Sequence, residues 1–382
     1  MKIKKKLLLD CRFWGPSHAG LGRYTESLTR ALHQLPLANW QVYCLVNPGQ
    51  KRSLSKALPK FEPILVSARP YSFQEQLVLP GIVRKLKPDL THYLHFNVPL
   101  RSPEPFVVTV HDLIKHHSRG LSTTTRTIFT YPAKRIGYHL VVARAVKKAK
   151  RIITPSAWVK KDILSHYKIK AKKIINIAEA AAPSYFKTSI ISKFALKEPY
   201  LIYVGNAYPH KNVVQLIKAV QIYNQTVKKQ LKLVIITAKD FFYQQLRLKI
   251  RQLKAQDLIR IQGFTSDREL RSLYHHAKAF ITASKFEGFG LPGLEAMAAG
   301  TLTLASNATS LPEVYGEAAW YFNPDDLDDI VKLIKKVVKL NPAKRRLRIK
   351  QGRHHARQFS WEEAARQTLN LYETSLNLRQ GQ

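Results

Sequence analysis

The sequence predicts an α/β protein of two domains, each built on a parallel sheet, and three observations carry that expectation. The chain has 382 residues, more than one ordinary hydrophobic core holds. Short apolar runs alternate with helical stretches along it, the pattern of parallel sheets covered by helices on both faces. The segment from Ala279 to Gly300 compresses that pattern into one unit: an apolar strand (Ala279-Phe-Ile-Thr-Ala283), a glycine-rich turn, and a helix opened by Leu291-Pro292 and ended by Gly300. Proline suits a first helical turn, and glycine suits the residue after a last one. Such a unit lines a ligand crevice in open α/β sheets.

In chain order, the first strand is Leu7-Leu-Leu9. The basic start before it imitates a signal peptide, but the apolar run is far too short and Asp10 interrupts it. Further strands are expected at Val42–Val46, Asp89–Leu94, Phe106–Val110 and Ile152–Thr154, with a helix cap at Ser156. The second half adds Tyr200–Val204, Leu231–Ile236, Ile259–Phe264, Phe280–Thr282 and Leu302–Ala305. Residues 183–199, with Pro183 and Pro199, read as a linker. Cys11 and Cys44 are the only cysteines and sit in strand-like surroundings, as small core residues of a reducing compartment do. No segment approaches the ~18 apolar residues of a membrane span. A cytoplasmic or peripheral protein is expected.

Net charge is +38, with 33 Lys/Arg against 9 Asp/Glu in residues 1–190 and 30 against 16 in residues 191–382. A field of that sign draws nucleic acid, anionic lipid or acidic substrates and does not choose among them. A long helical candidate over Ser122–Ile153 carries Tyr138, Val142, Ala145, Val146 and Ala149 on one side, with Arg144, Lys147, Lys148 and Arg151 largely outside that stripe. It reads equally as a helix lying on a membrane surface and as an ordinary domain helix with a solvated basic face.

Candidate chemistry gathers at strand ends. In the 284–300 unit, the backbone N–H groups of Phe289, Gly290 and Leu291 open a helix, where unpaired donors and the helix dipole favour an anion. Gly288 and Gly290 let a ligand approach the main chain. Glu287 in the turn and Glu295 inside the helix could reach hydroxyls of a sugar attached to that anion, although two isolated glutamates read more readily as a plain helix start with Glu295 on a solvated face. Gly20-Leu-Gly22 precedes a helix and follows the first strand, a weak phosphate-cradle signal for which a tight turn is the commoner explanation. His111-Asp112 follows a β-branched strand. Gly205-Asn206 and Lys211 follow Tyr200–Val204, and a lysine at a helix start opposes the dipole unless an anion is bound. Asp326-Leu-Asp328 fits an Asp-x-Asp metal pattern, yet acids in a first helical turn are ordinary. No His/Cys cluster has metal-ligand spacing. No metal and no cofactor are expected.

The string from Glu287 to Glu295, two glutamates separated by seven residues behind a strand, resembles the signature of family 4 (GT4) retaining glycosyltransferases. Gly20-Leu-Gly22-Arg23-Tyr24, Thr109-Val-His111-Asp-Leu113 and Pro209-His-Lys211-Asn212 are similar to other elements of that family, most of all in bacterial mannosyltransferases. Ser310-Leu-Pro-Glu313 resembles a family element near the nucleotide. The resemblance implies the GT-B architecture: two facing Rossmann-like domains, 1–187 for the acceptor and 188–358 for the nucleotide sugar, with a helix over 359–382 returning to the first. It implies that His111, Lys211 and Glu287 are catalytic. Gly20, Gly22, Gly205, Asn206, Gly288, Phe289, Gly290, Leu291 and Glu295 would bind the donor. Lys211 would neutralise the diphosphate, Glu287 would bind the sugar hydroxyls and Glu295 the ribose hydroxyls, while His210 stands beside Lys211 where the family commonly has an arginine nearby.

The implied reaction moves a hexose, mannose favoured, from a GDP- or UDP-linked donor to a glycan or lipid-linked acceptor, with an anionic membrane surface as a further partner. A GT-B epimerase or phosphorylase shares the fold. A nucleic-acid-binding protein shares only the charge, since no nucleic-acid module is recognised.

Overall fold

The computed structural model describes residues 4–15, 18–117, 131–187 and 196–377. Among these the chain forms two compact units. The first takes the residues up to Leu113, those from 131 to Glu179 and those from Ser360; the second takes Ile114–His117 and Ala180–Phe359.

The first unit is a seven-stranded sheet with β1 (Lys5–Asp10), β2 (Trp40–Val46), β3 (Glu62–Leu65), β4 (Leu90–Tyr93), β5 (Phe106–Thr109), β6 (Arg151–Thr154) and β7 (Ile174–Asn176). All pairings are parallel, in the order β3-β2-β1-β4-β5-β6-β7. Its helices are α1 (Ala19–Gln34), α2 (Lys51–Ala57), α3 (Phe73–Leu86), α5 (Tyr131–Lys148) and α6 (Ala157–His166), while α4 (Ile114–His117) belongs with the second unit.

Strands covered on both faces must be apolar throughout rather than alternating. Leu7, Leu8 and Leu9 are accordingly all buried, as are Phe106, Val107 and Val108. Leu9 pairs with Cys44 in register, and both cysteines are buried and free. Ser156 caps α6 by accepting from the Val159 N–H.

The second unit repeats the plan with β8 (Tyr200–Val204), β9 (Lys232–Ile236), β10 (Ile259–Gln262), β11 (Ala279–Thr282), β12 (Thr303–Ser306) and β13 (Ala319–Phe322). The order is β10-β9-β8-β11-β12-β13, again all parallel. Its helices are α7 (Val213–Gln225), α8 (Phe241–Gln252), α9 (Asp267–His276), α10 (Leu291–Ala298), α11 (Leu311–Tyr315), α12 (Leu327–Val338) and α13 (Pro342–Ala356). In both sheets the winding direction reverses once, between β1 and β4 and between β8 and β11. Ligands of open α/β sheets bind in the crevice that such a reversal leaves at the strand carboxyl ends.

Several expectations are resolved here. The stripe of α5 is core: Val142, Ala145, Val146 and Ala149 are buried against the sheet with Tyr138 packed beside them, so α5 is a domain helix. Residues 122–130 of that candidate, and 188–195 of the expected linker, lie outside the described residues. Asp326 is the N-cap of α12 and accepts from the N–H groups of Asp328 and Asp329, which accounts for the Asp-x-Asp pattern by capping alone. The last helix, α14 (Trp361–Asn377), packs on α1 within the first unit, and its Tyr372 hydroxyl lies 2.6 Å from His92 Nδ1.

Gly20-Leu-Gly22 reads as a tight turn or, more weakly, as a phosphate cradle; α1 begins at Ala19, so both glycines lie in its first turn. A Cβ on Gly22 would stand 2.0 Å from the Gly15 carbonyl oxygen, whereas one on Gly20 would meet nothing within 4 Å. The need for glycine at 22 is the close approach of the β1–α1 loop to the helix. Gly22→Ala must therefore displace backbone, and we expect it to destabilise the first unit by about 1–3 kcal/mol. Gly20→Ala should cost nothing comparable, and equilibrium denaturant titration of the two variants tests the contrast.

Candidate active site

In the second unit the two turns that flank the reversal are joined. After β8 the Gly205 N–H donates to the Ile236 carbonyl at 3.0 Å, and the Tyr203 hydroxyl donates to the Asn206 carbonyl at 2.6 Å. Asn206 Oδ1 is buried with no hydrogen-bond partner among the described residues. One turn of 3-10 helix follows over Pro209–Lys211, and Asn212, in the left-handed region, leads into α7. Lys211 thus sits just before α7 rather than in its first turn. Its Nζ lies 2.6 Å from Glu287 Oε1, which also accepts from the Ser284 hydroxyl at 2.8 Å. The conflict between lysine and helix dipole is relieved internally by Glu287.

Both partners are largely buried. Burial alone would raise the Glu287 carboxyl, but the Lys211 charge and hydrogen bond, with Ser284, outweigh it and hold it below the usual carboxylate range. A second tie runs from the Lys285 N–H to the His210 carbonyl at 2.8 Å. His210 does not supply the second cation: burial, and then Lys211, push its ring down to about 4, so it is neutral at physiological pH.

The glycine-rich turn is braced from behind. The Glu287 N–H donates to Thr309 Oγ1 at 3.0 Å, and the Ser310 hydroxyl donates to the Glu287 carbonyl at 2.9 Å. Gly290 caps α10 at φ 93°, and a Cβ there would meet Leu311 Cδ2 and the Tyr315 hydroxyl at 2.5 Å. Tyr315 donates to the Gly290 carbonyl. At the far end, Gly300 N–H bonds Met297 O at 3.0 Å and Thr301 N–H bonds Ala296 O at 2.9 Å, the paired closure that a left-handed glycine permits. Phe289 and Leu291 bury their side chains in the core, so only their backbone N–H groups remain for a ligand. Glu295 is 2% exposed, which removes the reading of it as a solvated surface residue.

The first unit carries a separate group. His111 follows β5, with Nδ1 3.0 Å from Glu179 Oε1 and Nε2 3.0 Å from the Leu94 carbonyl oxygen. Tyr24 meets its ring edge-on at 4.4 Å. Beyond β1, the fully buried Arg12 is paired with Asp10 at 2.7 Å and Glu75 at 2.6 Å. Gly20 and Gly22 belong with this group, whereas Lys211, Glu287, Glu295, Gly205, Asn206 and residues 288–291 belong to the second unit. Glu179, Arg12 and Glu75 were not singled out from the sequence. Glu179 did have a signal, as a carboxylate two residues past the apolar run Ile174-Ile-Asn-Ile177.

Residues 186–355 match the family model of group 1 glycosyl transferases, and residues 18–178 match that of Glycosyltransferase Family 4. The chain belongs to the family 4 glycosyltransferases. This glycosyltransferase is 29% identical over 380 residues to O-antigen chain mannosyltransferase B of Escherichia coli, covering 92% of this chain and 95% of that one. To O-antigen chain mannosyltransferase RfbU of Salmonella typhimurium it is 26% identical, covering 86% and 90%. The structure of Anabaena HepE in complex with UDP-glucose superposes with a TM-score of 0.73 at 16% identity, over 97% of this chain and 99% of that one. The fold is GT-B, and the enzyme is a hexosyltransferase.

The Lys211–Glu287 pair gives the glycosyltransferase a defined acid sensitivity. A carboxyl held below its unfolded value adds stability above about pH 4.3 and loses it as pH falls through the folded value. Wild type should therefore be more stable than Lys211→Met near neutrality, with the gap closing toward pH 3. Thermal melts across that range test this, and a gap independent of pH would refute it.

Proposed function

We propose that this glycosyltransferase moves a mannosyl group from a nucleotide diphosphate sugar, GDP- or UDP-linked, to a lipid-linked or polysaccharide acceptor, with retention of anomeric configuration. The observation that carries the reading is the Lys211–Glu287 pair bridging the turns after β8 and β11, beside the N-terminus of α10. The names of the two bacterial relatives support mannose, and the resemblance of residues 287–295 to the family signature supports retention.

The chemistry asks two things of the protein. It must stabilise a departing nucleoside diphosphate, and it must hold the sugar as its anomeric carbon becomes oxocarbenium-like. Lys211 and the N–H groups of Phe289, Gly290 and Leu291 answer the first as fixed charges and dipoles that need no reorganisation during reaction. Glu287 answers the second by accepting from sugar hydroxyls. Glu295, one turn into α10, would take the ribose hydroxyls, and Asn206 Oδ1 offers a further buried acceptor.

A thermal-shift titration with GDP, UDP, ADP and their sugar conjugates tests the donor, because a ligand of the native state alone must raise the melting temperature. Selective stabilisation by GDP or UDP compounds is expected. Lys211→Ala and Glu295→Ala should remain folded and lose about 10²–10³-fold in transfer rate. Full activity in both would overturn the site. Glycosyl transfer that needs added acceptor would separate this reading from an epimerase.

The acceptor side points to a membrane surface. No helix among the described residues is long and apolar enough to cross a membrane. The first unit nevertheless exposes Phe73 and Leu77 on α3, Leu100, and Ile136 and Leu140 on α5. Leu100 joins the two helices: its N–H donates to Gln76 Oε1 at 2.8 Å, and Arg144 Nε donates to its carbonyl at 3.0 Å. Apolar side chains within a strongly basic unit suit peripheral attachment to anionic lipid, each favourable alone and stronger together. Phosphatidylglycerol vesicles should bind the protein at low salt and release it at high salt, and Leu77→Ser/Leu140→Ser should weaken the binding. No binding at low salt would refute attachment.

A further inference from the structure

Both ring nitrogens of His111 face groups that accept hydrogen bonds. Leu94 contributes a backbone carbonyl, which has no proton to give, 3.0 Å from Nε2. Glu179 contributes a carboxylate oxygen 3.0 Å from Nδ1. A neutral imidazole has one donor and one acceptor nitrogen and satisfies both contacts only if the carboxyl group carries the proton instead. An imidazole is the stronger base by about two pK units, so the proton belongs on the ring.

The surroundings agree. Burial by itself would lower His111, but the hydrogen bond and charge of Glu179, the Leu94 carbonyl and the charge of Asp112 together raise it above its ordinary value. The other titratable groups that face it are His92 on β4, His95 just after β4, and Tyr24 on α1. His92 is neutral, pushed down to about 3 by burial and then by His111 itself. Tyr24 is a buried neutral phenol hydrogen-bonded to Thr109 Oγ1 at 3.0 Å. Neither competes with Glu179 for the charge. The His111 side chain keeps 16% of its surface exposed, so the ring is reachable.

We propose that Glu179 is a positioning residue that keeps His111 doubly protonated, so that His111 meets the substrate as a fixed cation and not as a base. The inference rests on the reading of His111 as part of the active site. A ring that already holds both protons cannot take one from an acceptor hydroxyl. With both N–H groups held by Glu179 and Leu94, its contribution is a fixed positive charge that stabilises negative charge developing on a nearby sugar or phosphate oxygen.

The test uses the full chain labelled with ¹⁵N-histidine, comparing wild type with Glu179→Gln, which keeps the shape and removes the charge. His111 should titrate above 6.5 in wild type and at or below 6.5 in the variant, where burial acts unopposed. Transfer by the variant should fall at least tenfold at pH 8 and recover toward pH 6, its decline with rising pH setting in at lower pH than that of wild type. Glu179→Asp, which retains the charge, should restore part of the loss. Wild-type His111 titrating at or below 6.5, or a variant with unchanged titration, overturns the proposal. A shifted titration with an unchanged pH–rate profile overturns the part that concerns substrate. Failure of the donor reading would appear separately, as absence of nucleotide-induced stabilisation in wild type, and would leave the ring titration standing.

Discussion

The second unit is organised by one ion pair. Lys211 and Glu287 are 76 residues apart in the chain, yet their contact ties the turn after β8 to the turn after β11, the two strands that flank the winding reversal. Removing two charges from water is costly, and a partly buried pair of this kind is poor evidence for stability on its own. What it supplies is placement. Ser284, Thr309 and Ser310 hold Glu287 through its carboxylate, its N–H and its carbonyl. The cation and the helix N-terminus are thereby held where an anion would meet both.

The first unit uses the same physical device with different residues. His111 and Glu179, 68 residues apart, join the segment after β5 to the segment after β7, with Leu94 after β4 as third member. Arg12 with Asp10 and Glu75 adds a buried ionic cluster beyond β1. Each sheet thus ends, at its carboxyl edge, in a cation whose orientation is set by a carboxylate from a distant segment. Parallel sheets favour this, because every strand delivers its following loop to the same edge.

Much of this was legible in the sequence, and what was not has physical reasons. Central strands must be apolar on both faces, so Leu7–Leu9, Phe106–Val110 and Tyr200–Val204 announce themselves. The strands that escaped, β3, β7 and β13, all lie at sheet edges. Edge strands are short and tolerate proline, as Pro63 in β3 shows. Helix ends were readable where capping chemistry is local, at Ser156, Asp326 and Gly300. The requirement at Gly22 was not legible, because a glycine needed for loop–helix contact looks the same in sequence as one needed for a phosphate. Lys211 and Glu287 were visible as motif members, but not as each other's partners. Glu179 was missed because its one local mark is its place just past an apolar run, and its partner is a histidine 68 residues earlier.

In the proposed reading the Lys211–Glu287 pair also orders events during donor binding. A diphosphate that reaches Lys211 competes with Glu287 for the same ammonium protons. As Lys211 turns to the phosphate oxygens, the Glu287 carboxylate becomes available to the sugar hydroxyls that arrive with it. Phosphate recognition and sugar recognition are then coupled through one shared cation, and a nucleotide without its sugar would leave Glu287 with only Ser284 as partner. The carboxylate that stabilises the empty site is the one the sugar needs, so the site favours a ligand that carries both groups at once.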